Sequence, residues 1–416
     1  MSQPQPKPYA ISKHAVLEAW QRVKANDGAA GVDGEAIEAF ERSLKDNLYC
    51  IWNRMSSGSY FPEPVRAVSI PKAGGGERKL GIPTVGDRVA QMVAKMHLEP
   101  ELEPLFHPDS YGYRPGKSAH DALQQARQRC WKYDWVVDLD IKGFFDNIPH
   151  ELLLKALRKH ATQKWVVRYI ERWLKAPMQE EDGKLVAREK GTPQGGVISP
   201  LLANLFLHYA LDQWLSRKHP GNPFERYADD AIVHCRSRKE AEELCAAIGE
   251  RLGECGLQLN AQKTKVVYCK DDDRRGTHEN EKFTFLGYEF RPRRAKNFRG
   301  KFFISFLPAM SDRAGKAIRE KIRSWRIPLR SDKSLEDLAR MFNAVIRGWV
   351  EYYGRYYRSM LYPTFRHLDR LLVWWACRKF KRLRRHRRRA AQWLQRISLR
   401  EPRLWAHWAI GVRVTV

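Results

Sequence analysis

Two short apolar runs carry acids where a folded core would not keep them unaided. In Val136-Val137-Asp138-Leu139-Asp140-Ile141 the residues alternate as in a strand, so Asp138 and Asp140 share one face while Val137, Leu139 and Ile141 share the other. Between Arg226 and Cys235 a second strand-like run is interrupted by Tyr227-Ala228-Asp229-Asp230, a pattern that suits a tight β-hairpin. Three acids, Asp140, Asp229 and Asp230, converging in a half-buried sheet repel one another and force at least one pKa upward unless a divalent cation neutralises them. Magnesium takes such oxygen ligands, commonly one or two carboxylates together with substrate phosphates. A pair of such ions stabilises both the attacking and the leaving oxygen of a phosphoryl transfer. An Asp-Asp pair in a turn is by itself often a solvated cap. Its place between two apolar strand segments is what makes it a candidate site.

The charge of the chain indicates the kind of partner. Of 416 residues, 75 are Lys or Arg and 48 are Asp or Glu, a formal net charge of +27, while 43% are hydrophobic and 14 are Trp. So many aromatics exclude simple disorder, and the excess of cations points to a polyanion, nucleic acid first. The excess is concentrated: residues 291–416 hold 33 Lys and Arg against 8 Asp and Glu, whereas residues 1–290 hold 42 against 40. Trp325, Trp349, Trp374, Trp375, Trp393, Trp405 and Trp408 interleave with this basic region and argue that it folds rather than trailing as a solvated arm. Nine of the twelve residues from 378 to 389 are cationic. Arg378, Lys379, Lys381, Arg382, Arg384, Arg385, Arg387, Arg388 and Arg389 are therefore candidate phosphate contacts. Seven cysteines without a C-x-x-C pair predict structural thiols in a reducing compartment rather than a zinc site or a disulfide framework. No run approaches about 18 uninterrupted apolar residues, so a soluble, intracellular protein with no membrane partner is expected.

Helical patterns occupy residues 13–60, broken by a loop from Asn26 to Gly34. Val65 to Ile70 alternate like a strand, and Pro71 to Arg78 read as a Gly-rich hairpin turn that either merely joins two strands or presents Lys72 and Arg78 to phosphates. Ser199 and Pro200 predict the N-cap and first position of an apolar helix over Leu201 to Leu215. Ser237 with Glu240, and Ser334 with Asp337, have capping-box spacing. The first should start a helix ending near Gly256. The second precedes Leu335, Leu338, Phe342, Val345, Trp349 and Tyr352, which recur at helical intervals. Thr264 to Cys269 reads as a strand, 283–306 as a hairpin, and 312–326 and 364–389 as helices.

Taken together, the motifs resemble one family. Tyr227-Ala228-Asp229-Asp230 is similar to the catalytic box of reverse transcriptases, and Val137 to Asp146 resembles the strand before it that supplies the other metal-binding Asp. Thr192-Pro193-Gln194-Gly195-Gly196 resembles the Pro-Gln-Gly block between them. Gly31-Val32-Asp33-Gly34, Ile70-Pro71-Lys72 with Arg78, Tyr111-Gly112-Tyr113-Arg114-Pro115-Gly116, Leu259-Asn260 with Lys263, and Phe285-Leu286-Gly287-Tyr288 complete the pattern of the group II intron-encoded branch. The resemblance implies that Asp140, Asp229 and Asp230 hold two magnesium ions, with Asp138 a structural partner. It implies that Phe145, five residues after Asp140, is the aromatic gate whose ring would collide with a ribose 2′-OH. Lys72 and Arg78 would meet the incoming triphosphate, Gln194 the nucleotide, and Lys263 the leaving pyrophosphate. Arg66 and Arg114 are further expected nucleic-acid contacts.

The architecture so implied is an α+β right-hand polymerase of fingers, palm, helical thumb and basic C-terminal domain. Its expected segments are 1–135 (N-terminal extension and fingers), 136–308 (palm with part of the fingers), 309–365 (helical thumb) and 366–416 (basic DNA-binding region). The implied activity is RNA-dependent DNA synthesis from dNTPs, joined to a splicing maturase role and intron mobility. The partners are a group II intron RNA template and a DNA target or primer, in a bacterial cytoplasm at the nucleoid; monomer and homodimer both stay open. Family members with a C-terminal endonuclease carry cysteine pairs and a His-Asn-His segment that do not occur before Val416, so no second-strand nicking is expected, as in the subgroup associated with group IIC introns. Two other readings remain: a polymerase domesticated for repair or defence, and a splicing cofactor whose polymerisation is vestigial.

Overall fold

The computed structural model describes residues 7–71 and 77–414. Its strands are β1 (Val65–Pro71), β2 (Glu77–Ile82), β3 (Trp135–Leu139), β4 (Met178–Gln179), β5 (Leu185–Val186), β6 (Phe224–Tyr227), β7 (Asp230–Cys235), β8 (Lys265–Tyr268), β9 (Phe283–Phe285), β10 (Tyr288–Lys296) and β11 (Phe302–Met310). Helices and strands divide between two compact units, residues 1–122 with 137–265, and residues 123–136 with 266–416. The architecture is α+β.

In the first unit, β1 and β2 pair antiparallel with Ile70 opposite Arg78, and β1 runs parallel to β4, which pairs with β5. The expected hairpin is thus present, and its tip, residues 72–76 with Lys72, lies outside the described residues. The second sheet sets β3 beside the β6–β7 hairpin. Its β6–β7 hairpin sets Tyr227 opposite Asp230, as the interrupted apolar run predicts. On β3, Val137 and Leu139 are buried while Asp138 stands on the other, partly exposed face.

The helix Ser199–Leu207 is buried almost throughout, but Ser199 is not its cap. Ile198 occupies that position, and the Ser199 hydroxyl instead accepts a hydrogen bond from Thr192 at 2.8 Å. Nor does the helix run evenly to Leu215. A π-helical turn, His208–Asp212, intervenes before Gln213–Lys218, and such a turn rotates the following side chains relative to a regular helix. Ser237 and Glu240 do form the capping box of Arg238–Glu254, and Gly256 follows in the left-handed region at φ 74°.

In the second unit, β10 lies between β9 and β11. The capping box of Ser334 and Asp337 starts Leu335–Tyr353. Trp325 stacks on Phe342 at 4.3 Å between ring centroids and on Trp349 at 5.5 Å. Trp375, Trp405 and Trp408 are buried in the same core, so these indoles are packing groups, whereas Trp374 is exposed. His407 and the Trp408 indole both reach the buried Asp369 Oδ1 at 2.9 Å.

One expected helix is two. The span 364–389 divides into Tyr362–Lys379 and Arg387–Arg400, with Phe380 extended and Arg385 at φ 65° between them. A single helix would stack the run's cations at i, i+3 and i+4, where like charges repel. The break spreads them around a buried Leu383.

Trp375 is fully buried, and its indole donates to the Arg330 carbonyl at 3.0 Å. Trp375→Ala should therefore cost about 3–5 kcal/mol of stability, read as a lower urea midpoint. A change under about 0.5 kcal/mol, the range of a surface substitution, would contradict this packing.

Candidate active site

The acidic hairpin is held by a buried cation. Arg226 is completely buried, and its Nε and Nη2 donate to the Asp212 carboxylate at 2.7 and 2.6 Å. Nη1 donates to Asn204 Oδ1 at 3.0 Å and to the Ala228 carbonyl at 2.9 Å, and Nη2 also reaches Ser110 Oγ at 2.8 Å. Ala228 needs that grip, because it sits at φ 59°, a region that a residue with a Cβ enters at a cost. Asn204 also donates to the Gly112 carbonyl at 2.7 Å. A Cβ on Gly112 would lie 2.4 Å from the Ala228 nitrogen, so only glycine lets the 111–113 segment lie against the turn.

Six of the eight residues expected to serve catalysis and nucleotide binding, Arg78, Asp140, Phe145, Gln194, Asp229 and Lys263, line one cleft of about 690 Å³. Asp140 accepts an ion pair from Lys263 at 3.3 Å, and the Asp140 carbonyl holds the Asn260 amide at 2.8 Å, which seats the turn bearing Lys263. Phe145 is fixed through its carbonyl, which takes the Thr192 amide at 2.8 Å. Gly191, at φ 79°, closes on the same turn, where a Cβ would meet the Phe145 carbonyl at 2.7 Å. Three residues after Gly191, the Gln194 amide nitrogen donates to Asp146 at 3.3 Å, and its oxygen accepts from Arg78. Arg78, Gln194 and Asp146 thus form a chain along the cleft.

Asp230 does not line this cleft. As the first residue of β7 it acts instead on Asp138, whose carboxyl is pushed up to about 8 by burial first and then by the Asp230 charge, with Lys265 opposing and Asp140 adding least. Asp229 is also raised, by burial first and in part by Asp140, with Arg78 and Arg226 opposing. The repulsion expected of these acids is therefore present.

The other expected contacts fare unevenly. Arg114 is a correction: its side chain is 6% exposed, paired with Glu103 at 2.7 Å, and donates to the carbonyls of His107 and Ser110. Its donors are spent on the fold, and none remains for phosphate. Arg66 is half-buried on β1, with Nε lacking a hydrogen-bond partner among the described residues. In the basic run, Arg378, Lys381, Arg382, Arg384, Arg385, Arg387, Arg388 and Arg389 are exposed and Lys379 is half-buried. Arg378 and Lys379 donate to the Pro328 and Ser331 carbonyls, and Arg387 lies over the exposed Trp374 ring. Sequence reasoning missed Arg188, which lines the cleft with both Nη atoms lacking a partner among the described residues, and missed Asp146 and Arg226. Arg226 adjoins the Tyr-Ala-Asp-Asp box, but nothing in its neighbours reveals that Asp212 is its partner.

Asp140 and Asp229 in one cleft, with Asp138 and Asp229 both pushed toward protonation by burial first and by neighbouring acids second, suit a hard divalent cation. Among the described residues, no three His, Cys, Asp or Glu side chains are already gathered as a cage.

A carboxylate-bearing hairpin beside a central strand, facing a cleft with cations and an aromatic ring, suits metal-dependent phosphoryl transfer. Comparison with known proteins agrees. The reverse transcriptase (RNA-dependent DNA polymerase) family matches residues 70–290, and the group II intron maturase-specific domain matches residues 315–393. Protein YkfC of Escherichia coli K12 is 31% identical over 64% of this chain and 77% of its own length. Group II intron-encoded protein LtrA of Lactococcus lactis is 27% identical over 83% of this chain and 69% of its own length. An uncharacterized 91 kDa protein in the cob intron of Schizosaccharomyces pombe is 26% identical, with 86% of this chain and 52% of that protein covered. The chain belongs to the reverse transcriptases, and within them to the group II intron-encoded reverse transcriptase and maturase proteins. It is accordingly an RNA-directed DNA polymerase with a right-hand fold and a splicing maturase. Among the described residues no helix is long and apolar enough to cross a membrane.

The raised Asp138 carboxyl has a measurable consequence. A carboxyl whose folded pKa lies above its unfolded value of about 4 binds its proton more tightly when folded, so its contribution is retained at low pH and lost as pH climbs through 8. In EDTA, Asp138→Asn should raise Tm by a few degrees at pH 8, and by less at pH 5. An equal shift at both pH values would show that Asp138 ionises normally.

Proposed function

We propose that the cleft extends a DNA primer on an RNA template, with Asp140, Asp229 and Asp230 as the metal-binding acids. The observation that carries this reading is the convergence of Asp140, Asp229, Phe145, Gln194, Arg78 and Lys263 on one cavity. The primer 3′-hydroxyl attacks the α-phosphate of a dNTP, and pyrophosphate leaves. Catalysis is by positioning and charge. Arg78, locked against Gln194, presents its fork to the triphosphate, with Lys72 on the same hairpin as a second charge. Gln194, oriented by Asp146, reads the nucleotide, and Phe145 excludes a ribose 2′-hydroxyl. Lys263, paired with Asp140 at 3.3 Å, would serve the departing pyrophosphate. Two bound magnesium ions would neutralise the acids and polarise the phosphate oxygens.

In this reading residues 1–135 are the N-terminal extension and fingers, 136–308 the palm with part of the fingers, 309–365 the helical thumb and 366–416 the basic DNA-binding region. The RNA is a group II intron, reverse transcribed at a DNA target in a bacterial cytoplasm.

Asp229→Ala should abolish magnesium-dependent primer extension on an RNA template while leaving splicing of the cognate intron in place. Extension at the unaltered rate would sink the assignment.

The exposed cations of 384–389 serve the holding of nucleic acid. With Arg384, Arg385, Arg388 and Arg389 replaced by Gln, binding should weaken across unrelated sequences, and the slope of log K against log salt should fall by about 1 for each phosphate no longer neutralised. A slope identical to that of the unaltered protein would leave the run a solvated surface.

A further inference from the structure

The hairpin of β10 and β11 carries a surface that the polymerase site does not use. Its register sets Phe290 opposite Pro308, Pro292 opposite Phe306, Arg294 opposite Ile304 and Lys296 opposite Phe302. Cross-strand partners share a face, and side chains repeat every second residue. The face that holds Tyr288, Phe290 and Phe306 in the core at the base of the hairpin therefore continues to its tip as Arg294, Lys296, Phe302 and Ile304. There it meets water: Phe302 is 53% exposed, and Phe298, in the turn, is 93% exposed.

Cations accompany these rings. The Arg294 guanidinium lies 3.9 Å from the centre of Phe302, and that of Arg299 lies 5.2 Å from Phe298. Among the described residues, Arg294, Lys296, Arg299 and Lys301 make no ion pair, whereas Arg291 and Arg293, nearer the base, both pair with Glu289. The tip is also ordered. The Asn297 amide donates to the Lys301 carbonyl, the Asn297 side chain takes the Lys301 amide, both at 2.9 Å, and Gly300 turns the chain at φ 81°. Asp272 braces the outer strand by accepting from the Ile304 amide at 3.0 Å. A shallow cleft of about 330 Å³ opens beside it, lined by Asp272, Pro292, Arg294, Phe302, Phe303 and Ile304.

We propose that this tip is a stacking platform for unpaired bases of bound RNA. Exposed rings offer π-faces to bases of any sequence, and the unpaired cations around them offer charge to the adjoining phosphates. A protein partner would need acids to match the four cations and would leave the rings no flat, uncharged surface. RNA supplies both phosphates and splayed-out loop bases, which aromatic side chains commonly receive. The inference rests on the RNA-binding reading of this chain and adds to it a specific place.

The test compares a stem-loop RNA carrying an unpaired uridine-rich loop with a fully paired RNA of equal length. Phe298→Ala with Phe302→Ala should weaken binding to the stem-loop at least tenfold, with the duplex changed less than twofold and the melting temperature retained. Phe298→Tyr with Phe302→Tyr should keep near-normal affinity, because a phenol ring stacks too. Primer extension on a short unstructured template should be unaltered by either pair. Stem-loop affinity unchanged within twofold in the alanine variant, or an equal loss on both RNAs, would overturn the proposal. So would a switch from dimer to monomer on sedimentation with RNA affinity intact, which would make the tip a self-association face. Failure of the unaltered protein to bind either RNA would overturn the RNA-binding reading itself, a result distinguishable from these.

Discussion

The buried pair of Arg226 and Asp212 is the interaction on which the acidic hairpin depends. Both side chains are wholly removed from water, so their desolvation is offset only by good geometry, which the forked pairing and the bonds to Asn204, Ala228 and Ser110 supply. Removing one partner from such a pair costs about 3–5 kcal/mol, since a buried charge is left alone. The same guanidinium fixes the Ala228 carbonyl, one residue before Asp229. Stability of the fold and aim of a metal-binding acid are thus set by one group. The π turn at 208–212 ends on Asp212, which is wholly buried, and the preceding helix supplies Asn204 to the same guanidinium.

A site of this kind has to hold acids that repel. Asp138 and Asp229 are both raised by burial and by their neighbours, and Lys265 at Asp138, with Arg78 and Arg226 at Asp229, oppose that rise without removing it. Over 291–416 the cations are not matched internally. They stand on a tryptophan-rich core that keeps them in solvent.

Much of the site was legible because strand periodicity and turn chemistry act locally. The alternation of Val137 to Ile141, the hairpin at Tyr227 to Asp230, and both capping boxes follow from neighbours a few residues apart. What sequence could not supply were the partners brought from afar. Arg114 looks like a phosphate contact until Glu103 and two carbonyls are seen to occupy it. Ser199 looks like a cap until Thr192 claims its hydroxyl. Arg188 sits in no motif, and its place in the cleft is visible only once the chain around β5 is folded. The single helix expected over 364–389 breaks after Lys379 and resumes at Arg387, across the densest part of the run of cations.

These cases share a physical rule about arginine. A guanidinium offers five donors in a rigid fork, so its role is settled by how many acceptors the fold has already placed around it. Arg226, with Asp212, Asn204, Ser110 and a carbonyl, is wholly spent on scaffold. Arg78 spends Nε on Gln194 and lines the cleft with the rest of its fork. Arg188 has both terminal nitrogens without partners among the described residues, although it too lines the cleft. Buried donors without acceptors are costly in a finished protein. A phosphate in the cleft would satisfy them, which is why the unsatisfied arginine, rather than the well-bonded one, marks the surface that substrate completes.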